Sequence, residues 1–326
     1  MDAFAAHIGL GCGRLAGGPA ESNSRRILSE ALESGIRYFD TAPSYGGGAS
    51  ERLVASGLRG LRSEVQLCTK VGLARGTPNA VAGWRTMVLS KIRLAVPEAM
   101  LREVSQLRQN RVQKAVKPGS HGNFDVAFVH ASVQQSLQEL ETDHLDCLLL
   151  HEPRLSDPVP ELEALLQTWV SSGKIFRLGV ATGSHFEDLP AFGGVAQFKI
   201  GATSPNGSPG RTLIGHGLLR GLSHSIFENC LRKSGITERI PELKRYLSEP
   251  VGASAILLNA VIYGTNIERV LVSTASPTRL RKFVSVSREI FGEIQTRGFD
   301  EHKARFGDLV RQYCLTMYPN QGVVWN

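Results

Sequence analysis

Eight short β-like runs interleaved with helical patterns predict a parallel α/β fold, either a closed (β/α)8 barrel or a doubly wound open sheet. Three observations carry this expectation. Strand and helix periodicities alternate along almost the whole chain. The run Leu145 to Leu150, LDCLLL, reads as buried on both faces, as a strand in a parallel sheet must be. No Gly/Pro/Ser-rich linker divides the 326 residues, and barrels of this kind use about 250 residues before insertions.

The elements follow in order. Ala6 to Leu10 is a first strand ending in a Gly-rich turn. A helix opens at Ser22 to Ser24, whose side chains suit an N-cap, carries Ile27, Leu28, Ala31 and Leu32 at helical spacing, and stops at Gly35. Arg37 to Thr41 is a strand, and Ser50 to Leu58 a helix with Leu53, Val54 and Leu58 on one side. Val65 to Val71 is the third strand. From Gly72 to Asn123 there are helical patches at Val81 to Leu94 and Glu98 to Lys114 but no clean strand, which marks a long insertion. Alternation resumes with the helix Ala127 to Leu140, the strand Leu145 to Leu150, the helix Pro160 to Val170 and the strand Ile175 to Ala181. Val195 to Ile200 is a sixth strand and Thr212 to Ile214 a weak seventh; GATSPNGSPGR between them leaves little room for a helix. Helical patterns at Leu218 to Cys230, Ile240 to Leu247 and Ala253 to Val261 precede the strand Arg269 to Ser273. The helix Pro277 to Gln295 opens with proline in its first turn.

Composition narrows the function classes. The chain is 42% hydrophobic and 21% charged, with 34 Gly, 15 Pro and 7% aromatic residues, which excludes disordered, collagenous and coiled-coil proteins. The net charge of +7 comes largely from Arg102, Arg108, Arg111, Lys114 and Lys117. That run lacks aromatic side chains for base stacking and reads as a solvated face, so no nucleic-acid partner is expected. Cys12, Cys68, Cys147, Cys230 and Cys314 are scattered without C-x-x-C or metal-ligand spacing, so neither disulfides nor a metal site is expected. No signal-peptide pattern opens the chain and no apolar run reaches about 18 residues. A soluble cytoplasmic protein without a membrane partner is the expectation.

The early IGLGCGRLAGG invites comparison with a dinucleotide-binding glycine loop, yet no clean βαβ unit with an acidic strand end follows; Asp40 leads into the polar loop TAPSYGGGASE. More informative are the strand ends. Asp40 and Tyr45 follow the second strand, Lys70 ends the third and His151 the fourth. In a parallel barrel such positions share one mouth. Singly, each has a bland reading as a turn, packing or surface residue. Jointly they form a proton-transfer unit, in which an ammonium lowers a tyrosine pKa, a carboxylate fixes the ammonium, and an imidazole orients a carbonyl oxygen.

These residues, with FDTAPSYGGGASERLVASGL (Phe39 to Leu58), CTKVG (Cys68 to Gly72), SLQELETDHLDCLLLHEP (Ser136 to Pro153), RLGVATG (Arg177 to Gly183) and VLVSTASPTRL (Val270 to Leu280), resemble the aldo-keto reductase superfamily. The resemblance implies a (β/α)8 TIM barrel, single-domain over residues 1–326, with an insertion at about 72–123 after strand 3 and a C-terminal tail. It implies an NAD(P)-dependent oxidoreductase that interconverts a small-molecule carbonyl (aldehyde, ketone or sugar) and its alcohol, with catalytic Asp40, Tyr45, Lys70 and His151 and with Tyr45 as general acid/base. For the cofactor it implies Gln197 and Thr182 at the carboxamide, Thr182 and Ala181 standing where a Ser-Asn pair is usual. Ser273, Thr274, Ser276 and Arg279 align with the segment that holds the adenosine 2′-phosphate, so NADP(H) is expected over NAD(H). Lys282 and Phe283 replace a Glu-Asn pair at the adenine, and His216, Leu218 or Leu219 stands where an aromatic residue packs on nicotinamide. The insertion, with Trp84, and the tail ending in Trp325 and Asn326 are expected to shape the substrate pocket. Two other readings remain: a noncatalytic cofactor-sensing barrel subunit, and a barrel lyase using Lys70 as a Schiff base.

Overall fold

The strands β1 (Ile8–Gly11), β2 (Tyr38–Asp40), β3 (Gln66–Val71), β4 (Cys147–His151), β5 (Leu178–Ala181), β6 (Val195–Lys199), β7 (Thr212–His216) and β8 (Arg269–Val272) pair in parallel in chain order. The closing pair, with Ile8 opposite Val270 and Leu10 opposite Val272, decides for the barrel over the open sheet. This is a computed structural model, and it describes residues 2–76, 121–183, 190–201, 210–219, 224–296 and 303–317. The predicted helical patches at 81–94 and 98–114 with Trp84, the basic run Arg102 to Lys117, and Trp325 and Asn326 lie outside the described residues.

Period-two alternation explains how the strands build both a core and a site. Tyr38, Cys68, Cys147, Leu149, Val195, Ile214 and Leu271 pack together inside the barrel. Their neighbours Phe39, Leu67, Leu148, Leu150, Ala196 and Val270 face the helices. Two residues beyond an inward side chain, the next inward position lies at the C-terminal mouth. By that count Asp40, Lys70, His151, Gln197, His216 and Ser273 come to one opening, supplied by six different strand ends.

Around the strands lie α1 (Glu21–Glu33), α2 (Ser50–Gly57), α3 (Val126–Glu139), α4 (Pro160–Ser171), α5 (His224–Ser234), α6 (Gly252–Gly264), α7 (Pro277–Thr296) and α8 (Lys303–Met317). Asp125 caps α3 by accepting from the amides of Ala127 and Phe128 at 3.0 and 3.1 Å. Among the described residues no helix is long and apolar enough to cross a membrane.

Four local expectations change. The helix α1 begins at Glu21 without a side-chain cap. Ser24 lies inside it, and its hydroxyl accepts from the Ala16 amide at 3.0 Å, a tertiary partner that local capping rules do not see. Strand β1 starts at Ile8 because Phe4–His7 forms a 3-10 turn. Strand β7 is a full strand to His216, paired along its length with β6. The predicted helix Ile240 to Leu247 is replaced by the single turns Ile236–Arg239 and Leu243–Tyr246.

The tail is the larger revision. Residues 303–317 form α8, which buries Phe306, Leu309, Val310, Tyr313 and Cys314. Burial of side chains this size stabilises by roughly 1.5–3 kcal/mol each. The Tyr313 hydroxyl donates to the Leu218 carbonyl at 2.5 Å, which ties α8 to the end of β7.

After β3 the chain leaves and returns at one place. The Asn123 amide donates to Gly72 O at 2.7 Å, and the Gly76 amide to Pro43 O at 3.2 Å. Arg75, beside that root, ion-pairs at 2.7 Å with the fully buried Glu51 of α2, whose other oxygen accepts from Thr69 Oγ1 at 2.8 Å.

Candidate active site

At the C-terminal mouth a cavity of about 520 Å³ is lined by Asp40, Tyr45, Lys70 and His151, by Thr182, Gln197 and Ser273, and by Gly11, Arg14, Glu152, His216 and Leu218 among others. The four residues predicted to carry proton transfer therefore meet at one opening. So do three of the six predicted cofactor residues.

Lys70 is the hub. Its ammonium, 2% exposed, donates to Asp40 Oδ1 at 2.7 Å, Asp40 Oδ2 at 2.8 Å and Thr41 O at 2.9 Å. Burial, the largest single influence, lowers its pKa, but the charge and hydrogen bond of Asp40 together with Tyr45 and Cys68 outweigh it and raise the pKa above the ordinary lysine value. All three of its N–H bonds are engaged and the nitrogen stays charged. A Schiff-base nucleophile needs the opposite, a neutral and available amine, so the lyase reading falls.

Tyr45 stands on the turn Tyr45–Gly48, where Gly46 and Gly48 have φ of 59° and 86°. Both need the left-handed region that glycine enters without penalty. A Cβ on Gly46 would collide with the Leu15 carbonyl oxygen, and one on Gly48 with that of Gly76, so the turn is held from both sides. The Lys70 ammonium lies 4.7 Å from the Tyr45 ring centroid. The expected lowering of the tyrosine pKa is reversed. Burial raises it, the Lys70 charge pulls against burial without overcoming it, and Asp40 adds to the rise. Tyr45 is therefore a firmly protonated phenol.

His151 meets the Tyr45 ring edge-on, with centroids 5.9 Å apart at 87°. Burial and the Lys70 charge push its pKa down to about 3. It is a neutral imidazole that can hydrogen-bond an oxygen without delivering a proton. His216 is also pushed down, by burial first, although a bond to Thr182 O at 3.0 Å pulls the other way. Because that carbonyl only accepts, Nε2 of His216 carries the hydrogen.

The predicted cofactor residues divide. Gln197 gives its amide nitrogen to Asp40 Oδ1 at 3.1 Å, while its buried carbonyl oxygen has no partner among the described residues. Thr182 donates through Oγ1 to Glu152 at 3.1 Å. Ser273 bonds the Gly11 carbonyl at 2.7 Å. Thr274, Ser276 and Arg279 lie beyond β8, where they shape the start of α7. The Ser276 amide donates to Thr274 Oγ1 at 3.1 Å, and the Arg279 amide to Ser276 Oγ at 3.2 Å. The Arg279 side chain is exposed and its guanidinium makes no hydrogen bond or ion pair among the described residues.

Besides Arg14, the sequence reading missed the lining residue Glu152. Its only signal was its place directly after the last inward residue of β4.

Comparison with known proteins agrees with this geometry. Residues 7–189 match the family model described as "Aldo/keto reductase family". Over 198 residues the chain is 29% identical to the aldo-keto reductase YhdN of Bacillus subtilis (strain 168), covering 59% of this chain and 47% of that protein. Over 204 residues it is 26% identical to an NADH-specific methylglyoxal reductase of Escherichia coli (strain K12), covering 59% and 53%. The matched region thus spans about half the length of these curated relatives. An aldo-keto reductase from Klebsiella pneumoniae, solved in complex with NADPH, superposes with a TM-score of 0.55 at 18% identity over 92% of this chain and 93% of that one, a likeness of fold.

Proposed function

Because the chain belongs to the aldo/keto reductase family, we propose that it reduces a small-molecule carbonyl to its alcohol, and runs the reverse, with a nicotinamide cofactor held at the barrel mouth. The observation that carries this reading is the union, in one cavity, of a protonated phenol, a charge-locked Lys70–Asp40 pair and a neutral imidazole.

The residues present fit the cofactor. The buried, unpartnered carbonyl oxygen of Gln197 suits a carboxamide N–H, with Thr182 beside it on the same wall. The exposed guanidinium of Arg279, near the N-terminus of α7, suits a 2′-phosphate through its bidentate fork. This favours NADP(H) over NAD(H). The cofactor supplies the hydride.

The chain's own residues do the rest. His151 donates a hydrogen bond to the carbonyl oxygen and fixes its orientation. Tyr45 gives its proton to that oxygen as negative charge develops there, the geometry of general acid catalysis. Lys70 stabilises the phenolate left behind, and Asp40 holds Lys70 in place. In the oxidative direction the phenolate takes the proton back.

The test is consumption of NADPH or NADH by the purified protein with a panel of aldehydes, ketones and sugars. Tyr45→Phe should lower kcat about 10³-fold and leave the cofactor dissociation constant unchanged. Undiminished turnover in that variant would sink the mechanism.

A further inference from the structure

Glu152 combines three properties that its neighbours lack. It lines the cavity directly after His151. Its backbone has φ of 56°, in the left-handed region that a long side chain seldom adopts, so the surroundings must hold it there. Its carbonyl accepts from the Gly122 amide at 3.3 Å, and its other three holding bonds run to the end of β5. Its amide donates to Ala181 O at 2.8 Å, the Gly183 amide donates to Oε1 at 2.7 Å, and Thr182 Oγ1 donates to Oε2 at 3.1 Å.

Both donors to this carboxylate are neutral. Among the described ion pairs none reaches it: the Lys70 charge is taken by Asp40, and Arg14 also lines the cavity. His151 and His216 are pushed toward their neutral forms. Once the Lys70–Asp40 pair is cancelled, the wall formed by Glu152, Thr182 and Gly183 carries a net negative charge.

We propose that Glu152 sets the preference of this site for the oxidation state of the nicotinamide cofactor, its carboxylate favouring the cationic oxidised form over the neutral reduced form. This rests on the reading above that Thr182 and Gln197 hold the carboxamide. Loss of hydride leaves one positive charge on the nicotinamide ring where there was none. A fixed anion joined to the residues around that ring gains Coulomb energy only as the charge appears, so the same group lowers the barrier for hydride donation to a carbonyl. A strained backbone held by its hydrogen bonds to Gly122 and to the end of β5 is what keeps the carboxylate on this wall.

The experiment is titration of the full chain with NADP+ and with NADPH, followed by quenching of intrinsic protein fluorescence. In Glu152→Gln the ratio of the dissociation constant for NADP+ to that for NADPH should rise about tenfold. Glu152→Asp, which keeps the charge and tolerates left-handed backbone, should stay near the wild-type ratio. Should the glutamine variant not fold, Glu152→Asn, neutral and equally tolerant of that backbone, carries the same expectation. An unmoved ratio, or equal weakening of both forms, overturns the proposal and leaves Glu152 a structural residue. Wild-type protein that binds neither form overturns the reading beneath it.

Discussion

On one side of the mouth the buried ion pair is fully engaged: Asp40 is held by Lys70 and Gln197, and Lys70 by Asp40 and Thr41. Across the opening, beyond β8, the turn Thr274 to Arg279 satisfies its own backbone but leaves the Arg279 guanidinium in solvent without a partner among the described residues. The Lys70–Asp40 pair is complete within the protein, whereas on the reading proposed above the Arg279 guanidinium is completed by a ligand. Proton transfer needs fixed geometry and pKa values in a dry setting. Recognition of a mobile phosphate tolerates a flexible arm.

Breaking the closed side should cost most. Lys70→Met leaves the Asp40 carboxylate buried without its counter-ion, and unfolding in denaturant should show a loss of about 3–5 kcal/mol. A loss under 1 kcal/mol would mean that water already screens the pair. On the open side, Arg279→Ala should weaken NADPH binding about 10- to 100-fold, the worth of charge-assisted hydrogen bonds. NADH binding and unfolding stability should not move; a stability loss matching that of Lys70→Met would erase the distinction between the two regions. Smaller again, Tyr313→Phe removes the donor to the Leu218 carbonyl and should cost about 1 kcal/mol in stability. The least change is expected in the pH profile of carbonyl reduction. With His151 neutral down to about 3 and the Tyr45 phenol held above its ordinary value, kcat should be level from about pH 5 to about pH 9. A break near the ordinary histidine pKa would show that His151 is not buried as described.

The same histidine sets an acid limit on stability. Its folded pKa lies below its unfolded value of about 6.5. Between those values the unfolded chain binds the extra proton, so stability is full above about 6.5 and declines as pH falls toward 3. Thermal melting across that window should follow this direction.

Much of this was legible in the sequence because a barrel strand has a period of two and a defined end. Asp40 and His151 end their strands and Lys70 stands one residue before the end of its own, each two residues beyond an inward Tyr38, Leu149 or Cys68, and that placement brings them together. What escaped depends on the third dimension. The charges near Tyr45 were visible in the sequence, but the burial that reverses the sign of its pKa shift was not. Glu152 reaches the cavity wall through a left-handed backbone that its side chain does not advertise. By contrast α8 did carry a signal, with Phe306, Leu309, Val310 and Tyr313 at helical spacing. The alternating barrel pattern ends with the helix Pro277 to Gln295, so the stretch beyond it reads as a tail.

The bond from Asn123 to Gly72 gives the region between β3 and α3 a particular freedom. A chain that departs and re-enters through one joined point adds nothing to the path the sheet must close, and the entropy of such an excursion grows only with the logarithm of its length. With Gly76 also seated against the turn that carries Tyr45, residues 77–120 can lengthen, shrink or change composition over evolutionary time while Tyr45 keeps its place.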